Sequence, residues 1–173
     1  YRAVFKKDIP MIIEVSEESG VETALSVVVD KFKLNLVLAA SGTSYLAADK
    51  IAEKKVPVIV GPTMTTQRNG RPYNLPQHFR TAGCAVMIQT RATIQTASLP
   101  QVIAHSASRG LGRGDAIQAL TSDAAEILKL DKIGQIQPGF DADLTVFDGP
   151  PFYPSSRVIG VMIDGKWAYL HPE

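Results

Sequence analysis

The stretch KIGQIQPGFDADLTVFDGPPF, residues 132–152, followed by VIGVMIDGKWAY at residues 158–169, decides how the chain folds. It reads as a strand, a Pro-Gly turn, a buried strand flanked by acids, and a closing strand pair. Pro138 and Gly139 suit a tight turn, because proline fixes φ and glycine accepts the positive φ that other residues resist. Leu144, Val146 and Phe147 form a short apolar, β-prone run ended by Asp148 and Gly149. Asp164-Gly165, with Val161 and Ile163 before it and Trp167 and Tyr169 after it, is a hairpin signal with alternating apolar positions. A three-strand unit of this size buries no core alone, so it is expected to lie against further strands.

Working outward, composition narrows the class. The 173 residues are 45% hydrophobic and 20% charged, as expected of one globular domain with a small appendage. A net charge of +1 gives no long-range field for gathering nucleic acid or an anionic membrane, so neither is expected as a partner. Cys84 is the only cysteine, which excludes an intrachain disulfide and Cys-rich zinc modules. No apolar run is long enough to span a bilayer, and the first eight residues lack the layout of a signal peptide, so a cytoplasmic location is expected.

Upstream of the tail, short apolar runs alternate with amphipathic ones. Strands are expected at residues 9–15, 34–40, 56–60 and 85–89. Between them, Val21, Ala24, Leu25 and Val28 give residues 17–32 helical periodicity, and further helices are expected at 44–55 and 75–82. Residues 63–76, polar and rich in Thr, Asn, Gly and Pro, read as a long exposed loop. A helical stretch at 100–108, a Gly-rich break at 110–114 and a helix over 115–128 complete the pattern, with Asp115 as N-cap or first-turn acid. Strands separated by crossover helices predict an α/β fold with a parallel sheet, and the pattern leaves a doubly wound sheet and a barrel segment equally open.

Together with the tail, Ile9-Pro10-Met11 and residues 36–62, 82–89 and 110–130 resemble the amidohydrolase superfamily, the imidazolonepropionase-like members among them. The resemblance covers nearly the whole chain. It implies the second half of a TIM-type (β/α)8 barrel, about four βα units over residues 1–130, with residues 131–173 forming a C-terminal β segment of a small β-sandwich. Half a barrel leaves two open sheet edges and an unfilled interior. An N-terminal barrel half or a second chain is therefore expected to complete the fold, and a homo-oligomer is expected.

The resemblance also implies an activity, hydrolysis of C–N bonds in a small-molecule substrate by metal-activated water, with ligands at the C-terminal ends of strands. Three expected ligand positions fall within this sequence, two histidines and an aspartate. They hold Glu14, Ser41 and Arg91. A carboxylate binds metal, so Glu14 is a plausible substitute ligand, whereas Ser41 is a poor one and Arg91 brings positive charge. No metal is expected in this chain, a zinc-like divalent metal is expected only if the full-length protein is active, and Arg91 is expected to pair with Glu14 or a neighbouring acid. The expected function is thus an amidohydrolase-related protein with a degenerate site, the alternative being a non-catalytic barrel that binds a small molecule or partner.

Other residues offer little support for a metal site. His78, His105 and His171 lack ligand spacing and read as surface or hydrogen-bonded histidines, and Cys84 as a buried structural thiol. Thr65, Gln67 and Arg68 lie in a segment after a strand's C-terminus and are candidate ligand contacts. A second alternative rests on Ser41-Gly42-Thr43-Ser44, which also resembles the phosphate loop of phosphosugar isomerases. There Thr43 and Ser44 would hold a phosphate at a helix start, or else simply cap the helix.

Overall fold

A computed structural model describes residues 1–90, 99–153 and 155–172. A short helix α1, Arg2–Phe5, precedes strand β1, Met11–Val15, and helix α2, Glu18–Ala24, which continues as a π-helical turn over Leu25–Lys31. Strand β2, Leu36–Ala40, leads through a 3-10 turn, Ser44–Ala47, into α3, Ala48–Glu53, and then β3, Val58–Val60. A hairpin of β4, Thr65–Arg68, and β5, Arg71–Asn74, is followed by α4, Leu75–Thr81, and β6, Val86–Ile88. Three helices follow, α5 at Leu99–Ser108, α6 at Arg113–Leu120 and α7 at Ser122–Leu128. The chain then forms β7, Leu144–Phe147, β8, Val158–Ile163, and β9, Lys166–Leu170.

Strands β1, β2, β3 and β6 make one parallel sheet in sequence order, an α/β arrangement. Its two faces differ. Val15, Leu38, Ala40, Val58, Val60, Val86 and Ile88 point into the main core, where they meet Val21, Leu25 and Val28 of the second helix, Ile51 of α3, Phe79 of α4 and Ile103 of α5. The four helical residues marked by periodicity, Val21, Ala24, Leu25 and Val28, are all buried. On the opposite face Val37 and Ile59 pack with Ile127 of α7, flanked by Ala39 and Met87, while Ile12 is 52% exposed.

Several expectations need correction. Residues 63–76 are not a loop but contain the β4–β5 hairpin, closed at Asn69-Gly70 with φ of 53° and 72°. Both residues take the positive φ of a two-residue hairpin turn, for which Asn-Gly is the favoured pair. The helix expected over 115–128 is two helices, broken at Thr121, whose φ and ψ of −122° and −92° interrupt the helical path. Asp115 is the first-turn acid of α6, one of the two placements expected for it, and Gly112 is the N-cap. No strand forms ahead of Pro138-Gly139, where residues 131–140 are turns and bends. In the tail, β7, β8 and β9 form an antiparallel sheet turning at Asp164-Gly165 as expected, but β7 is half-exposed rather than buried.

Two glycines let the parallel strands end close together. Gly42, at φ +56°, follows β2, and a Cβ there would lie 2.3 Å from the Ser16 carbonyl oxygen beyond β1. Gly61, at φ +127°, follows β3, and its Cβ would lie 2.0 Å from the Gln89 carbonyl oxygen beyond β6. Backbone occupies the space a side chain would need at both, and left-handed φ adds further strain. Gly42→Ala is expected to lower stability by about 2 kcal/mol or more, read as a fall in the urea midpoint at unchanged slope. Gly70→Ala, at φ +72° with open space around it, should cost only about 1 kcal/mol. Equal effects at the two positions would contradict the close approach.

Candidate functional site

The C-terminal ends of the parallel strands converge at a rim built largely from backbone. The Ser41 amide donates to the Val15 carbonyl at 2.9 Å, and its hydroxyl reaches the same oxygen at 3.4 Å. The Thr43 amide donates to the Ser16 carbonyl at 2.8 Å, and the Thr43 hydroxyl lies 3.4 Å from it. Ser44, 1% exposed, donates its hydroxyl to the Ser41 carbonyl at 2.6 Å. The Gln89 amide donates to the Val60 carbonyl at 2.9 Å, tying the exits of β3 and β6.

These contacts show where the polar atoms of the candidate residues are directed. Ser41, Thr43 and Ser44 come together, but each hydroxyl proton is donated inward to a carbonyl. The expectation that Ser and Thr cap the following helix fails, since Thr43 makes no side-chain cap there. Glu14 is exposed on the sheet face opposite the main core, level across the strands with Ala39, Ile59 and Met87. That places a carboxylate on an otherwise apolar row near the strand ends. Arg91 lies outside the described residues, and with it the expected pairing to Glu14.

The hairpin carries the remaining candidates. Thr65 is half-buried at its base, beside a hollow of about 370 Å³ also lined by Thr63, Met64, Gln101 and His105. Gln67 and Arg68 are exposed towards its tip. Arg68 lies over the Tyr73 ring at 5.3 Å and donates from Nη1 to Tyr73 Oη at 3.3 Å. Tyr73 Oη is joined to His78 Nδ1, and His78 Nε2 sits 2.9 Å from the Tyr45 carbonyl. A carbonyl only accepts, so Nε2 carries the proton, and in the neutral ring Nδ1 accepts from the tyrosine hydroxyl. His78 is thus a satisfied histidine, as expected, and a latch between the hairpin and the turn that follows β2.

Asn74 anchors the hairpin from below, and nothing in the sequence reading marked it. It is 7% exposed, accepts from the Gln77 amide at 3.1 Å as N-cap of α4, and donates to the Ser106 carbonyl at 2.7 Å. The buried Ser106 hydroxyl returns a hydrogen bond to Asn74 Oδ1 at 3.2 Å. An asparagine just before Leu75-Pro76 was the available signal, because Asn is a preferred N-cap and proline suits the first helical turn. His105 and His171 are both exposed and far apart in the sequence, and His171 meets the Pro172 carbonyl. Among the described residues no three His, Cys, Asp or Glu side chains group closely enough to hold a metal ion. Ser41, whose hydroxyl lies 3.4 Å from the Val15 carbonyl, is an uncharged oxygen and a poor ligand type for a zinc-like divalent metal.

The profile of the amidohydrolase family matches residues 74–168, more than half of the sequence. The chain belongs to the amidohydrolase family. An amidohydrolase from Thermotoga maritima MSB8 is similar in structure, with a TM-score of 0.86 and 30% identity, over 98% of this chain and 46% of that one. A beta-aspartyl dipeptidase from Fervidobacterium islandicum AW-1 matches with a TM-score of 0.64 and 15% identity, over 91% of this chain and 46% of that one. An N-acetylglucosamine-6-phosphate deacetylase from Pasteurella multocida matches with a TM-score of 0.53 and 14% identity, over 91% and 56%. The latter two likenesses concern the fold alone, and the chain spans about half the length of these structures. Comparison with curated proteins gives no significant match. No helix among the described residues is long and apolar enough to cross a membrane.

Cys84 behaves as the sequence suggested. It is 6% exposed, with its thiol 3.7 Å from the Ala48 carbonyl. Burial, with a smaller contribution from Asp49, pushes the thiol up to about 11. The thiolate is the nucleophile, so native Cys84 is expected to resist a thiol reagent at pH 7–8 and to react once denaturant exposes it. The linkage has a definite sign. The unfolded thiol loses its proton near pH 9 while the folded one keeps it, so stability is unaffected below about 9 and falls as pH rises towards about 11. Cys84→Ala should flatten that decline, measured by urea melts across pH 8–11. Rapid labelling of the native thiol at pH 7 would contradict this placement.

Proposed function

We propose that residues 1–130 form the second half of a (β/α)8 barrel, with residues 131–173 contributing to a small β-sandwich. The sheet runs in sequence order with its crossover helices α2, α3 and α4 packed on one face, whereas the other face meets α7 through Ile127 and carries no crossover helix; a doubly wound sheet would carry crossover helices on both. The opposite face, with Ile12 half-exposed and Ile127 touching Val37 and Ile59, corresponds to a barrel interior. In this reading β1 and β6 pair with strands from an N-terminal barrel half or another chain, which also covers Ile12.

In this reading the strand ends, where Glu14 and Ser41 lie, are an amidohydrolase-type site that has lost its metal ligands and binds a small molecule without hydrolysing it. The observation that carries this is Ser41. Where a histidine ligand is expected, its amide and hydroxyl both turn to the Val15 carbonyl and its own carbonyl accepts from Ser44. Those polar atoms hold the turn together, and an uncharged hydroxyl tied into a turn is a poor metal ligand beside a histidine. Glu14 is the one feature favouring a second reading, in which the full-length protein hydrolyses C–N bonds with ligands outside this chain and Glu14 among them.

Elemental analysis of the purified full-length protein separates the two. Zinc, iron and manganese well below one equivalent per chain are expected after growth in metal-supplemented medium. A stoichiometric metal that Glu14→Gln removes would overturn the degenerate site in favour of the hydrolase.

A further inference from the structure

Charge in this chain is segregated along the sequence in a way its net value conceals. Residues 56–114 hold six arginines and no Asp, Glu or Lys, while the remaining residues set twelve Lys and Arg against seventeen acids. Arg80 is accounted for structurally, paired with Asp115 and Asp123 at the α4–α6–α7 junction. Arg113 lies 4.3 Å over the Tyr153 ring. Arg68 and Arg71 differ from these. They face one another directly across the β4–β5 hairpin, on either side of its Asn-Gly turn, and both are exposed. Among the described residues neither meets an acid.

Directly opposed like charges destabilise a hairpin, and arginine cannot relieve the repulsion by losing its proton. An anion bridging the pair would reverse the sign of that interaction. Arg68 is already braced for the task. Its stacking on Tyr73 and its Nη1 bond to Tyr73 Oη are backed by His78 and the Tyr45 carbonyl, so less side-chain freedom is lost on binding. Its Nε and Nη2 make no hydrogen bond among the described residues, and that edge of a guanidinium matches the two oxygens of a carboxylate or phosphate.

We propose that the β4–β5 hairpin is an oxyanion-binding arm, in which Arg68 and Arg71 together engage a carboxylate or phosphate group of a small-molecule ligand. The arm follows the C-terminal end of β3, the same end of the sheet as Ser41. The inference rests on the reading of the strand ends as a small-molecule site and names the ligand's chemical class.

The test is titration of the full-length protein with inorganic phosphate and with succinate at low ionic strength, followed by calorimetry. Saturable binding of at least one anion is expected, weakened about tenfold or more in Arg68→Gln and in Arg71→Gln. Preference for phosphate assigns a phosphate ester, and preference for succinate a carboxylate. Lys6→Gln with Lys7→Gln, exposed before β1, should leave binding unchanged. Without ligand, Arg71→Gln should melt no lower than the parent, because the substitution relieves the repulsion. Absence of saturable binding by both anions, or equal affinity in the arginine variants, would overturn the arm. A stoichiometric metal would count against the degenerate site and leave arginine-dependent binding standing, so the two readings fail separately.

Discussion

The functional end of this molecule depends on how the exits of its parallel strands close over one another. The Ser41 and Thr43 amides reach back to the carbonyls of Val15 and Ser16, and the Gln89 amide to Val60. Those contacts require backbone to approach backbone without an intervening Cβ, which Gly42 and Gly61 allow. In a parallel sheet the strand exits share one end, so whatever chemistry the fold supports is arranged there. Here backbone hydrogen bonds join the exit of β2 to that of β1 and the exit of β6 to that of β3.

That closure links architecture to function. A metal site at strand ends needs side chains with uncommitted lone pairs, converging from neighbouring strands. The chain belongs to the amidohydrolase family, and its β2 exit offers a serine, a poor ligand type for a zinc-like metal, whose hydroxyl lies 3.4 Å from a carbonyl. The hairpin after β3 provides the opposite case. Asn74 satisfies α4 and α5 from beneath it, His78 latches it to Tyr45, and Arg68 and Arg71 are left facing outward at its tip. Satisfied groups hold the scaffold, and the proposed anion arm draws on two charges that meet no acid among the described residues.

Much of this fold was legible in the sequence because the signals were hydrophobic and periodic. Val21, Ala24, Leu25 and Val28 marked a buried helical face, and Asp164-Gly165 marked a hairpin that formed. Errors arose where a local rule outweighed bulk composition. Asn69-Gly70 specifies a tight hairpin, yet with the surrounding Thr and Pro it was read as part of a loop, and Pro72 lies within β5. At Thr121 the break between α6 and α7 follows from backbone geometry rather than from any Gly or Pro. The candidate site was legible only as residue types at expected positions. That Ser41 would donate to Val15, and that Asn74 would bind Ser106, depends on tertiary contacts that no spacing reveals.

The most direct test of the central claim is anomalous diffraction at the zinc edge from crystals of the full-length protein grown with zinc. The account predicts no anomalous peak within bonding distance of Glu14 or Ser41, with the Ser41 hydroxyl still directed at the Val15 carbonyl. A peak coordinated by Glu14, with Ser41 turned away from Val15 and towards the metal, would contradict it.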